Sequence, residues 1–143
     1  MGLFDRFKSS NAPTQKGLTA KEWCDKGDAL AKSGRHEEAL QCFDKALVID
    51  PRYAMAWNNK GAALGMLDRH EEALQCLDTA LAIDPRDVDA WNYKGAALDM
   101  LDRHQEALQC FDQARAIDPT NAIEQQGKPV AFEKIRKTAP KKQ

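Results

Sequence analysis

The side chains in this 143-residue chain with the most obvious chemical reach are three histidines and four cysteines. His36, His70 and His104 are spaced 34 residues apart, and so are Cys42, Cys76 and Cys110; Cys24 stands outside that series. Imidazole nitrogens and thiolates are the donors of a tetrahedral zinc site, which holds them within about 2.3 Å of one ion. The equal spacing argues against such a site. If each segment is one structural unit, successive units are displaced by helix-packing distances, on the order of 20 Å along an array and never under about 8 Å. That separation also exceeds the Cα limit of about 7 Å for a disulfide. Within a unit, His36 and Cys42 do not share a helix face. The residues therefore predict no metal, no cofactor and no disulfide, with the cysteines acting as small apolar residues in a reducing compartment. No nucleophile is paired with a base by spacing, and no glycine-rich phosphate loop is present, so no enzyme is expected. The acids of "RHEEAL" fit a solvated face, with first-turn carboxylates opposing a helix dipole.

What must position these residues is an internal repeat. Trp recurs at 23, 57 and 91, Gly at 27, 61 and 95, Ala at 39, 73 and 107, and Pro at 51, 85 and 119. Residues 54–87 and 88–121 agree at 24 of 34 positions, enough to require one backbone for both. A fixed period of this length means stacked supersecondary units, none of which can bury its apolar face alone.

Each unit reads as two helices. In the second unit, Ala54, Trp57, Leu64 and Leu67 follow helical spacing. Asp68–Arg69 is a short polar break, and Ala73, Leu74, Leu77, Ala80, Leu81 and Ile83 form the apolar face of a helix over 70–83. Asp84–Pro85 ends it, since proline disfavours helical dihedrals in the residue before it. Gly61 is expected to let the partner helix approach closely, which offsets its helix-propensity cost of about 1 kcal/mol. Ala73 and Ala80 suit the same seam, and Trp57 is expected to fill the space between the helices.

This arrangement resembles the tetratricopeptide repeat. The residues that carry the likeness are Trp57, Gly61, Ala73, Leu77, Ala80 and Pro85. Their counterparts are Trp23, Gly27, Ala39, Phe43, Ala46 and Pro51 in the first unit, and Trp91, Gly95, Ala107, Phe111, Ala114 and Pro119 in the third. The resemblance covers residues 20–121 and implies an all-α fold, a right-handed α-solenoid of antiparallel helix pairs. The repeats would be 20–53, 54–87 and 88–121. One departure is consistent: Lys26, Lys60 and Lys94 precede the glycines, where the family commonly has Leu. A lysine there can lay its stem on the seam and keep its ammonium in water.

The ends differ from the body. "TAKE" at Thr19–Glu22 is a capping box that marks the first helix, and 1–19 reads as an arm and linker. Arg115 stands where the earlier units have Leu47 and Leu81, so the third unit should be the last full one. Residues 122–138 are expected to form a capping helix, broken at Gly127–Pro129, with 139–143 a tail. Residues 1–19 carry three basic and one acidic residue (+2), and 122–143 carry six and two (+4). The body, 20–121, carries twelve basic and nineteen acidic (−7). An acidic body lacks the clustered cations that track phosphates, so no nucleic-acid partner is expected. No apolar run reaches the roughly 20 residues of a membrane span. "MGLFDRFK" has charges inside its apolar stretch and does not read as a secretory signal. A cytoplasmic protein is expected.

The units differ where a binding site would lie. Met55/Asp89, Asn59/Tyr93 and Gly65/Asp99 fall along one side of the first helix, and in the resembled family first helices line a concave groove. Structural positions are kept while these are varied, as expected of a site grafted onto a repeated scaffold. The resemblance places Lys21, Cys24, Asp25, Asp28 and Lys32 in that groove from the first unit. The second unit supplies Met55, Asn58, Asn59, Ala62 and Met66. The third supplies Asp89, Asn92, Tyr93, Ala96, Asp99 and Met100. Asparagines can bridge a peptide backbone, Met66 and Met100 give adaptable apolar contact, and Tyr93 would anchor. Co-chaperones of that family clamp terminal carboxylates with Lys, Arg and Asn. The equivalent places here are Cys24, Asp28, Asn59, Asp89 and Tyr93, of which Asn59 alone matches. Asp28, Asp89 and Asp99 would repel an acidic tail. The expected function is a protein-interaction module that binds an extended, neutral or basic peptide. The alternatives are a membrane-surface adaptor working through Leu3, Phe4 and Phe7 of the arm, where too little apolar surface argues against it, and a self-assembling scaffold that forms a weak homo-oligomer.

Overall fold

A computed structural model describes residues 17–120. They form six helices and no strand: α1 Ala20–Lys32, α2 His36–Ile49, α3 Ala54–Met66, α4 His70–Ile83, α5 Val88–Met100 and α6 His104–Ile117. The arm at residues 1–16, the expected capping helix over 122–138 and the tail lie outside the described residues.

The helices pack as pairs α1/α2, α3/α4 and α5/α6, and each pair's second helix packs on the first helix of the next. First helices also touch each other, α1 with α3 and α3 with α5. That places them on the inner side of the array, as the predicted superhelix requires.

Local chemistry sets the boundaries. Thr19 caps α1 through the capping box, accepting from the Glu22 amide while the Glu22 carboxylate accepts from the Thr19 amide. The α3–α4 turn closes with the Arg69 amide donating to Leu64 O and the Asp68 amide to Gly65 O. This pairing satisfies two end carbonyls and requires a left-handed residue between them. Gly34 fills that position in the first turn, and Asp68 and Asp102 take it in the others, at φ 60° and 61°. The second helices begin without a side-chain cap. Instead Arg69 forks onto Glu72, with Nε–Oε1 2.7 Å and Nη2–Oε2 2.9 Å, and Arg35/Glu38 and Arg103/Glu106 repeat it.

The seam is built on glycine. A Cβ on Gly61 would stand 2.6 Å from Leu77 Cγ, and on Gly27 the same distance from Phe43 Cε1. Phe43 and Leu77 are fully buried there among Ala39, Ala46, Ala73 and Ala80. Trp57 is placed differently from expectation. It is only half buried, and its indole N–H donates to Pro51 O at 2.8 Å; Trp91 does the same to Pro85 O. The indole lies over the turn from the preceding unit because its N–H needs an acceptor, and the helix seam has none to spare. The departure at the lysines follows from this. Lys60 sits over the Trp57 ring and pairs with Asp44 of the preceding unit at 2.8 Å. Lys94 sits over Trp91 and pairs with Asp78 at 2.7 Å. Trp and Lys together tie each unit to the one before. At the far end Arg115 is exposed and pairs with Asp112, whereas Leu47 and Leu81 are buried.

Candidate functional site

The inner face holds a recess of about 560 Å³ where α1, α3, α5 and the α4–α5 loop meet. Asp25 and Asp28 enter it from α1, Met55, Asn58 and Asn59 from α3, and Asp89 and Tyr93 from α5. Tyr53 and the loop residues Asp84 and Asp87 complete its wall. Of the residues expected to form a groove, the structure brings together Asp28, Met55, Asn58, Asn59, Asp89 and Tyr93. Met66, Asn92, Asp99 and Met100 do not line the recess.

The corrections are physical. Asp99 is 5 % exposed and its Oδ1 lies 2.6 Å from His104 Nδ1. The helical hairpin brings the first residue of α6 beneath the last turn of α5, so this carboxylate faces the pair's interior and not the groove. Asn92 is buried as well. Asn59 is half buried, and its amide donates to Cys24 Sγ at 3.5 Å across the α1–α3 contact. Met66 and Met100 are exposed at the C-terminal ends of their helices, beyond the recess and not packed in the seam. Tyr93 is 41 % exposed.

The recess is strongly acidic. Asp25 and Asp28 are already paired, with Lys21 at 2.8 Å and Lys32 at 2.9 Å. Asp84, Asp87 and Asp89 have no Lys or Arg within ion-pair distance among the described residues. Asp87 accepts the Ala90 amide as the cap of α5, and Asp84 accepts the Arg86 amide. Burial pushes the Asp87 carboxyl up, with the charges of Asp89 and Asp84 adding to it. Burial also pushes the Tyr93 phenol up, and Asp89, Asp28 and Asp87 reinforce the shift. These shifts describe a field that disfavours further negative charge and favours a cation.

Residue-by-residue matching missed Tyr53, Asp84 and Asp87, because they precede the helices that the groove is assigned to. A signal was present: "DPRDVD" at 84–89 holds three acids where the preceding junction, "DPRYAM" at 50–55, holds one.

A second hollow of about 510 Å³ lies on the other face, between α4 and the α5/α6 pair. Both of its cations are engaged within it, Lys94 by Asp78 and Arg103 by Glu106, and Glu71, its one further acid, lies near enough to Arg103 to add to that guanidinium's upward shift. It lacks the uncompensated field of the inner recess.

The cysteines are apolar packing. All four are free and buried. Burial pushes the Cys24 and Cys110 thiols up to about 11, so neither is a thiolate at neutral pH. Among the described residues no three His, Cys, Asp or Glu side chains gather as a metal would need. Nor is any helix there long and apolar enough to cross a membrane.

Known proteins share this architecture. A model described as TPR repeat matches residues 27–68, and one described as tetratricopeptide repeat matches 54–87 and 88–121. Among curated proteins no significant match is found. The second TPR of Spaghetti (RPAP3), bound to HSP90 peptide SRMEEVD, aligns at 25 % identity and TM-score 0.69 over 73 % of this chain and 96 % of that one. The Arabidopsis OM64 TPR domain aligns at 26 % and 0.74 over 83 % and 95 %. The Sgt2 TPR domain from Aspergillus fumigatus aligns at 20 % and 0.76 over 87 % and 86 %, a likeness of fold alone.

Proposed function

Because this chain belongs to the tetratricopeptide repeat family, we propose that it is a non-enzymatic module whose concave face captures an extended peptide segment of a partner protein. The observation that carries the reading is the inner recess, which draws side chains from the first helices of all three units into one concavity. Its volume falls in the range of ligand sites, about 300–1,000 Å³. Met55 and Tyr93 offer exposed apolar and aromatic contact beside the polar Asn59, the mixture that anchors peptides.

The partner is neutral or basic. The peptide held by the RPAP3 domain, SRMEEVD, has three acidic residues against one basic. Here the corresponding face presents aspartates, with Cys24 and Asp28 where a carboxylate clamp needs donors. An acidic tail would meet like charge across the recess, which costs affinity and slows encounter. Four free thiols suit a reducing compartment, and we place the module in the cytoplasm.

A random dodecapeptide library displayed on phage, selected against the immobilised full chain, tests this. Neutral and basic sequences should be enriched. Met55→Ser combined with Tyr93→Ser should weaken them at least about tenfold, as expected on losing two contact side chains. This pair is preferred to one that includes Asn59, whose bond to Cys24 also joins two units. Enrichment of acidic sequences, or equal binding by the double variant, would contradict the reading.

A further inference from the structure

We propose that the recess is a guanidinium pocket, taking one arginine side chain of the bound peptide between Tyr53 and Tyr93, above Asn58 and against Asp84, Asp87 and Asp89. The inference rests on the peptide-binding reading and names the residue type that this site selects.

The first ground is uncompensated charge at one place. The body's acids are mostly spent on local pairs, Asp44 on Lys60, Asp78 on Lys94, and Asp25 and Asp28 on their own lysines. The three aspartates at the second unit junction hold no such cation among the described residues, yet they line one concavity. The preceding junction has Tyr53 and Met55 at the places of Asp87 and Asp89, so the charge marks a single site and not a property of every repeat.

The second ground is independent of charge. Asn58 lines the recess, is 6 % exposed, and its Oδ1 has no hydrogen-bond partner among the described residues. A buried amide oxygen without a donor is costly, and such groups are rare enough to need an explanation. An N–H reaching the floor of the recess would supply one.

Both grounds point to arginine rather than lysine. A guanidinium offers five donors in a fixed plane, enough to serve an amide oxygen and more than one carboxylate together. Its weakly hydrated face stacks on tyrosine rings, whereas a compact ammonium keeps its water and reaches fewer acceptors. Asp84 and Asp87 each hold a backbone amide through Oδ1, and a carboxylate so bonded keeps further acceptor capacity for a guanidinium.

The test uses the isotopically labelled full chain and four acetylated, amidated heptapeptides, identical except for a central Arg, Lys, citrulline or Glu. Amide and Asn side-chain shifts are followed at low salt. The Arg peptide should bind about fivefold or more tighter than Lys or citrulline, with the largest changes at the Asn58 side chain and Tyr93. Asp89→Asn, at an exposed position, should weaken it about fivefold, the scale of one partly exposed ion pair. Equal binding of Arg and citrulline, with shifts along α3 and α5, would overturn the pocket and leave the groove standing. Shifts confined to α4 and α6, or none with any peptide, would overturn both. If Asp89→Asn alone moves the signals of the chain's own Arg136, the pocket serves self-capture and the proposal for a partner's arginine fails.

Discussion

Gly65→Asp should stabilise the protein, and the structure contains its own precedent. His70 and His104 occupy the same place in consecutive units, each opening the second helix of its pair. His104 Nδ1 has Asp99 at 2.6 Å, whereas His70 Nδ1 is buried without a partner among the described residues. The residue of α3 equivalent to Asp99 is Gly65, and a Cβ built there meets no atom of the described residues within 4 Å. Replacing a helical glycine by Asp gains about 0.3 kcal/mol in propensity. A negative charge in the last turn costs about the same or slightly more against the dipole. These nearly cancel. What remains is the bond to a buried donor that otherwise lacks one, about 1–3 kcal/mol. Discounted for burying the new carboxylate, the net gain should be about 1–2 kcal/mol. Gly65→Ala is the control: it should gain close to 1 kcal/mol from propensity with no bond to His70. Urea melts of wild type, Gly65→Asp, His70→Ala and the double variant isolate the pair. A coupling of about 1 kcal/mol or more is expected. A coupling below about 0.3 kcal/mol, or a Gly65→Asp protein less stable than wild type, would refute the registration of α3 over α4 described above.

Gly61→Ala should behave oppositely to Gly65→Ala, losing about 1–3 kcal/mol in the same melts, because its Cβ would fall 2.6 Å from Leu77 Cγ. Trp57→Ala should cost about 2–3 kcal/mol, less than the 3–5 of a fully buried aromatic, through the lost contact with Lys60 and the bond to Pro51 O. The thiols give a pH signature. Cys24 and Cys110 hold their protons up to about 11 in the fold, while unfolded thiols ionise near about 8.5. The folded state then binds more protons, so stability should fall as pH rises from about 9 towards 11. Native protein at pH 8 should react with Ellman's reagent far more slowly than in urea; four fast-reacting thiols would contradict their burial.

Much of the scaffold was legible in the sequence because its rules are local or periodic. Thr19 and Glu22 spell their capping box, Pro85 stops α4, and the spacing of Gly61, Ala73 and Ala80 marks a close seam before any coordinate is known. The side chains that depend on a neighbouring unit were harder to read. Trp57 looks like core by size, yet its N–H draws it to a carbonyl of the preceding turn. Asp89 and Asp99 look alike as acids on one helix. They separate only once the hairpin sets His104 beneath the second and leaves the first open. Asn58 is polar and on the inner face, as the resemblance suggests, but its burial at 6 % exposure is set by tertiary packing that the repeat pattern does not express. The loop aspartates belong to the recess because one unit's exit lies beside the next unit's entry, a proximity that helix periodicity does not express.

The central claim is that the face formed by α1, α3 and α5 is the working surface. The most direct measurement is the map of amide shifts on the labelled full chain titrated with one library-selected peptide. Changes should concentrate on Asp28, Met55, Asn59, Asp89 and Tyr93 and vanish in the Met55→Ser, Tyr93→Ser variant. Changes centred instead on the second helices, around Glu71, Gln75, Glu106 and Gln109, would contradict it.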